Sequence, residues 1–336
     1  MGGTDKKLQK IINILTANNI VPYEQISEIL NDCSEILEHE AGGYRPVASD
    51  GTSGCFIDFH TDSKPLIVIP DFHARPYFLL NILEYEIFDG TTVYEALKQD
   101  NLKMVCVGDL LHTERKTRER WTAAAAEFER EIFTGPAMSS EMQEGLALLC
   151  ALYYLKTVFP KSVHILKGNH ENILNVTGGG DFAFGKYADE GEMCRCFIQE
   201  YYGDDILYLL SCVEKNLPLL YYGKKCIISH AEPVRAFTKK ELIDAHQYPG
   251  VVQGLTWTDN GDAENGSVKR TIQNLTGFED TGDYVWLGGH RPVPEKYRLR
   301  QDGLYIQIHN PSRQNIAFIN EKDKFDPEKD IIGVAK

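Results

Sequence analysis

The sequence is short of several things at once, and each shortage removes a class of function. No apolar run is longer than the ten residues 146–155, whereas a membrane span needs about 18 or more, so no membrane partner is expected. The first residues contain no apolar signal core, and Lys6 breaks the myristoylation pattern; the expected location is cytoplasmic. Cysteine is scarce, with 8 in 336 residues. Cys194-x-Cys196 is the only close pair, and with no second pair beside it a structural reading is the ordinary one. Basic residues are outnumbered, 35 against 49 acidic, for a net charge of −14, which repels phosphate backbones and makes nucleic acid a poor partner. P-loop, GxSxG and HExxH patterns are all missing, which removes the commonest NTPase, serine-hydrolase and zincin readings.

With 43% hydrophobic and 25% charged residues, what remains is a globular chain long enough for a large core. There is no repeat and no Pro-, Ser- or Gly-rich linker, so one main domain is expected over 44–336, preceded by a helical extension over 1–43. Period-3.6 patterning predicts helices over 6–17, 23–38, 77–88, 116–133, 140–158 and 192–202. The two helices around 113–160 form an insertion that either caps the site or lies on the outer face of a sheet. Short apolar runs bounded by turn residues predict strands over 55–60, 66–70, 104–107, 163–166, 217–222, 226–229, 284–287, 304–309 and 316–319. Gaps of a few residues suggest hairpins joining 55–60 to 66–70 and 217–222 to 226–229. Hairpins mixed with longer crossovers indicate an α/β fold with mixed sheets.

Side chains suited to metal binding collect just beyond these strands. Asp71-Phe72-His73, Gly108-Asp109, Gly168-Asn169-His170-Glu171, His230 and Gly289-His290 each follow an apolar run. Ligand sites of open α/β sheets lie beyond strand carboxyl ends, so five such clusters can converge on one crevice. A lone histidine there is more often a hydrogen-bonded structural residue. Asp-x-His is stronger, because alternate residues of an extended segment point the same way. In the best arrangement Asp71 and His73 hold one ion, Asn169, His230 and His290 a second, and Asp109 bridges both. Imidazoles mixed with oxygen donors suit Mn, Fe, Zn or Ni, divalent or trivalent.

In this order the motifs resemble the calcineurin-like metallophosphoesterase superfamily, and most closely its phosphoprotein-phosphatase branch. The match runs from Asp71 to His290; Gly-Asn-His-Glu is its most specific element, and Leu255-Thr256-Trp257-Thr258-Asp259 is similar to that branch's Trp-Ser-Asp segment. The resemblance implies a four-layer sandwich of two mixed sheets flanked by helices, and a two-metal active site with the ligands given above. It implies hydrolysis of phosphate monoesters, in which a metal-bridging hydroxide attacks phosphorus in line. His170 would then protonate the departing oxygen as general acid, with Glu171 as a supporting partner. Arginine suits the phosphate oxygens; Arg291 beside His290 is the first choice and Arg235 the second, with a surface ion pair as the alternative for each.

The second motif departs from the branch, which reads Gly-Asp-x-x-Asp-Arg-Gly where this chain has Gly108-Asp109-Leu110-Leu111-His112-Thr113-Glu114. The missing Asp would orient the catalytic histidine, so either His112 or Glu114 replaces it or that support is absent. The missing Arg would grip phosphate, so either Arg115 substitutes or the substrate is held differently. Expected substrates are a phosphorylated small molecule or a phosphoprotein. A dinucleoside polyphosphate hydrolase, a small-molecule phosphodiesterase and an inactive metal-binding scaffold stand as alternatives, and the sequence leaves the oligomeric state open.

Overall fold

A computed structural model describes residues 5–114, 118–320 and 322–336. Its strands are β1 (Phe56–Phe59), β2 (Leu66–Ile69), β3 (Glu86–Phe88), β4 (Thr91–Thr92), β5 (Lys103–Cys106), β6 (Val163–Ile165), β7 (Leu220–Gly223), β8 (Cys226–Ser229), β9 (Val285–Gly288), β10 (Arg298–Arg300), β11 (Tyr305–Gln307), β12 (Asn315–Ile319) and β13 (Ile331–Gly333). They build a five-stranded sheet in the order β13-β12-β2-β5-β6, a six-stranded sheet in the order β1-β7-β8-β9-β11-β10, and a small β3–β4 ribbon. Each large sheet contains three adjacent parallel strands: β2, β5 and β6 in one, β8, β9 and β11 in the other. The antiparallel hairpin of β7 and β8 forms as expected. The expected hairpin of 55–60 with 66–70 does not. β1 instead pairs in parallel with β7, and β2 lies in the other sheet between β12 and β5, so the chain crosses the sandwich between them.

Alternation along the strands explains the layering. Leu66 and Val68 face the six-stranded sheet and pack with Val105, Ile228, Leu287 and Ile306 in the middle of the sandwich. Ile67 and Ile69 point the other way, into a larger core shared with the helices. Those helices are α1 (Lys6–Leu15), α2 (Tyr23–Glu38), α3 (Pro76–Glu84), α4 (Val93–Lys98), α5 (Arg118–Phe128), α6 (Pro136–Val158), α7 (Glu190–Tyr202) and α8 (Asp204–Asn216). The opposite face of the six-stranded sheet packs Phe56, Leu220, Ile227 and Trp286 against α9 (Lys239–Ile243), α10 (Pro249–Thr256) and α11 (Ser267–Thr276). The result is the expected four-layer sandwich.

α6 is enclosed on every side, Leu146 to Leu155 being almost wholly buried except for Tyr154. It lies against β6 and is covered by α1, α2 and α5, so it belongs to the outer layer of the sandwich. Both helices of the pair reach the second-motif loop: the Trp121 ring of α5 lies 5.0 Å from that of His112, and Glu141 of α6 accepts the Thr113 N–H at 2.8 Å. No helix among the described residues is long and apolar enough to cross a membrane.

Candidate metal centre

The six parallel strands point their carboxyl ends at one place. β2 delivers Asp71 and His73, β5 delivers Asp109, and β6 delivers Asn169 and His170; from the other sheet β8 delivers His230 and β9 delivers His290. Backbone bonds fix the loops to one another. His73 N–H donates to the Asp109 carbonyl at 2.7 Å and Ala74 N–H to that of Leu110 at 2.9 Å. His290 N–H reaches across the sandwich to the Asp71 carboxylate at 2.9 Å. The Glu171 carboxylate accepts from Asp109, Leu110 and Gly168 N–H at 2.8, 2.9 and 2.7 Å, so the residue after His170 ties the β6 loop to the β5 loop.

The backbone conformations are demanding. His73, Asp109, His112 and His290 have φ of 43°, 55°, 71° and 65°, a left-handed region that costs about 1–3 kcal/mol for a residue other than glycine. The neighbouring glycines are required by space. A Cβ on Gly289 would collide with the Asp71 carboxylate, and one on Gly168 with that of Asp109.

Three lone-pair atoms meet most closely. Asn169 Oδ1 lies 3.0 Å from His230 Nε2 and 3.1 Å from His290 Nδ1, and the two histidine nitrogens are 3.2 Å apart. The His230 ring donates Nδ1–H to the Val107 carbonyl at 3.0 Å, which leaves Nε2 with a lone pair. Asp109 Oδ2 is 3.6 Å from that nitrogen. Ligands about 2.0–2.1 Å from a cation stand about 3.0–3.4 Å apart around it, so this donor set fits an ion. His73 is prepared in the same way. Its Nδ1 is 3.0 Å from the His112 carbonyl, and its Nε2 is 3.6 Å from Asp109 Oδ2. Asp71, Asp109 and His230 form a further buried group within ligand distance of one another.

The electrostatics point the same way. Burial, together with the Glu171 and Asp71 carboxylates, pushes Asp109 well above the usual carboxylate range. Burial lowers His73 to about 3 and holds His170, His230 and His290 below the ordinary imidazole value. A crowded carboxylate that resists ionisation beside imidazoles that resist protonation is the donor chemistry a cation completes.

His170 stands beside the cluster, its Nε2 3.8 Å from Asp109 Oδ2. Phe184 stacks on its ring at 4.4 Å, and the His112 ring lies 4.9 Å away. Behind His112, its Nε2 is 3.5 Å from the buried Glu190 carboxylate. Of the two residues expected there, His112 lies against the His170 ring. Glu114 turns to His309, His73 and Arg75.

The arginines fare differently. Arg291 adjoins the cluster, but its fork is closed on Asp259, with Nε–Oδ1 and Nη2–Oδ2 both at 2.9 Å. Arg235 pairs with Glu241 at 2.7 Å and lies over the Phe237 ring; no contact among the described residues links it to the cluster. Arg115 lies outside the described residues. Three site residues were not foreseen: Arg75, His309 and Glu190. His309 follows β11 as His230 follows β8, so the strand-end rule would have found it if applied to the 304–309 run as well. Arg75 continues the alternation of Asp71-x-His73, whereas nothing in the sequence marks Glu190.

No protein-family model and no curated protein matches the chain. Solved structures do. A protein serine/threonine phosphatase from Saccharomyces cerevisiae superposes with a TM-score of 0.59 at 12% identity, over 96% of this chain and 94% of that one. A cold-active protein-tyrosine phosphatase from a psychrophilic Shewanella matches at 0.40 and 13% identity, over 77% of this chain and 76% of that one. The first superposition shows the calcineurin-like fold along nearly the whole chain.

Proposed function

We propose that the chain hydrolyses phosphate monoesters, carried on a small molecule or a protein, at a two-metal centre. The observation behind this reading is the convergence of lone pairs from Asp109, Asn169, His230 and His290 on one volume beside Asp71 and His73. Asp71 and His73 would hold one ion, Asn169, His230 and His290 the other, and Asp109 both. Two such ions neutralise phosphoryl charge and make hydroxide available near neutral pH.

The chain's own residues supply the rest. The His170 ring, fixed between Phe184 and His112, would pass its proton to the departing ester oxygen. Burial favours its neutral form, and a dianionic phosphoryl group arriving beside it favours the imidazolium that can donate. His112, backed by Glu190, would hold that ring in place of the carboxylate found in the related branch. Arg291 would grip phosphate oxygens only by opening its pair with Asp259.

Leaving-group dependence tests the assignment. On an alkyl phosphate, which needs its oxygen protonated, His170→Ala should cost about 10²–10⁴ in kcat, with His112→Ala intermediate. On p-nitrophenyl phosphate both losses should shrink to within about tenfold, because nitrophenolate leaves without a proton. Equal losses on both esters would remove His170 from the acid role. Faster turnover of the bis-nitrophenyl diester than of the monoester would replace the monoesterase reading with a phosphodiesterase.

A further inference from the structure

Five of the six parallel strands that point at the metal centre have been given residues that would hold an ion. The sixth, β11, ends in Gln307-Ile308-His309, and His309 is 1% exposed. Its Nδ1 lies 3.6 Å from Asp71 Oδ2, the same separation that Asp109 Oδ2 keeps from His73 Nε2. Its Nε2 lies 3.2 Å from Glu114 Oε1, and Glu114 Oε2 is held by Arg75 at 3.0 Å.

This is the arrangement of a metal-binding imidazole. A carboxylate that accepts the outer ring N–H fixes the tautomer and aims the other nitrogen's lone pair at the ion. His73 and His230 reach the same state by donating to backbone carbonyls. Glu114 is therefore better read as the carboxylate behind His309 than as a stand-in for a residue of the second motif.

Resting on the two-metal reading, we propose that His309 Nδ1 is a ligand of the ion held by Asp71 and His73, and that Glu114 and Arg75 are its positioning residues. The first ion then has four protein donors, Asp71, His73, Asp109 and His309, equal in number to the Asp109, Asn169, His230 and His290 set of the second. A second imidazole also biases the first site toward nitrogen-preferring ions such as Zn, Fe or Ni and away from Mg.

The test reads metal, not turnover. Metal-stripped wild type, His309→Ala, His309→Gln and Glu114→Gln would be loaded with Co²⁺, with bound ion counted by elemental analysis and the site read by its visible absorption. Folding of each metal-free variant would be checked by circular dichroism. The wild type should bind two ions. Both His309 variants should keep one tight ion and hold the other at least about 100-fold more weakly, and Glu114→Gln should weaken that same ion by about 10–100-fold. His309→Gln preserves size and a donor toward Glu114, so it serves if the alanine variant does not fold. Two ions at wild-type affinity and an unchanged Co²⁺ spectrum in a folded His309 variant would overturn the proposal while leaving the two-metal reading intact. A wild type that binds no metal would overturn both.

Discussion

Glu214 shows what a single buried residue contributes to the site's frame. It sits on α8 and accepts the Ile173 N–H at 2.7 Å, two positions beyond Glu171, so it braces the loop that carries Asn169 and His170. Burial pushes its carboxyl from 4.5 up to about 8. An acid with a folded-state pKa above its unfolded value keeps a proton that the unfolded chain has released, so stability falls as pH rises from 4.5 to about 8. Glu214→Gln keeps an acceptor oxygen and removes the titration. The variant should therefore gain on the order of 1–3 kcal/mol over the wild type on going from pH 5 to pH 8, measured by urea unfolding at both values. Parallel pH profiles for the two proteins would show that Glu214 is already ionised in the fold. The candidate ligands were legible at this scale because each sits at a fixed place after an apolar run. Glu190 was not, because it meets His112 only through a contact between residues distant in sequence.

At the scale of elements, the N-terminal helices are built into the largest core. α1 buries Ile11, Ile14 and Leu15, and α2 buries Ile26, Ile29, Leu30, Cys33 and Leu37, against α6 and α8. Beyond them Glu40 lies buried between Arg45 and Lys156. At about 1.5–3 kcal/mol per buried apolar side chain, these contacts together are as large as the ~5–15 kcal/mol net stability of a folded protein. Removing residues 1–43 should therefore yield insoluble chain or chain without a cooperative melting transition. A soluble truncation with the wild-type melting temperature would make the two helices a dispensable addition. Both helices were legible from their period. α8 was not: Ile206, Leu207, Leu210 and Val213 carry the helical spacing, but Gly203, with φ of 96°, ends α7 and starts α8 in one residue, which masks the second helix behind the end of the first. The false hairpin has a related cause. A five-residue polar gap favours a local partner, whereas the true partner of Phe56 is Leu220, which no local pattern can announce.

For the molecule as a whole, two sheets of different topology each place three parallel strands so that their ends meet across the sandwich. The candidate metal site assembles only when both sheets are formed and packed, because Asp71, His73, Asp109 and Asn169 come from one and His230, His290 and His309 from the other. The His290 N–H on the Asp71 carboxylate and the His230 ring on the Val107 carbonyl are the fastenings between them. Motif order made this layout legible, since the resemblance carried the four layers with it. The altered second motif was legible only as a loss; the contacts of His112 with Glu190 and of Glu114 with His309 needed coordinates. The most direct test of the proposed two-metal phosphatase activity is to strip the protein of metal, return Mn, Fe, Zn or Ni in measured equivalents, and follow hydrolysis of a chromogenic phosphomonoester. Activity should be absent without metal, reach its full value only as the second equivalent binds, and be lost in Asp109→Asn. Turnover by metal-free protein, or by Asp109→Asn at the wild-type rate, would contradict the account.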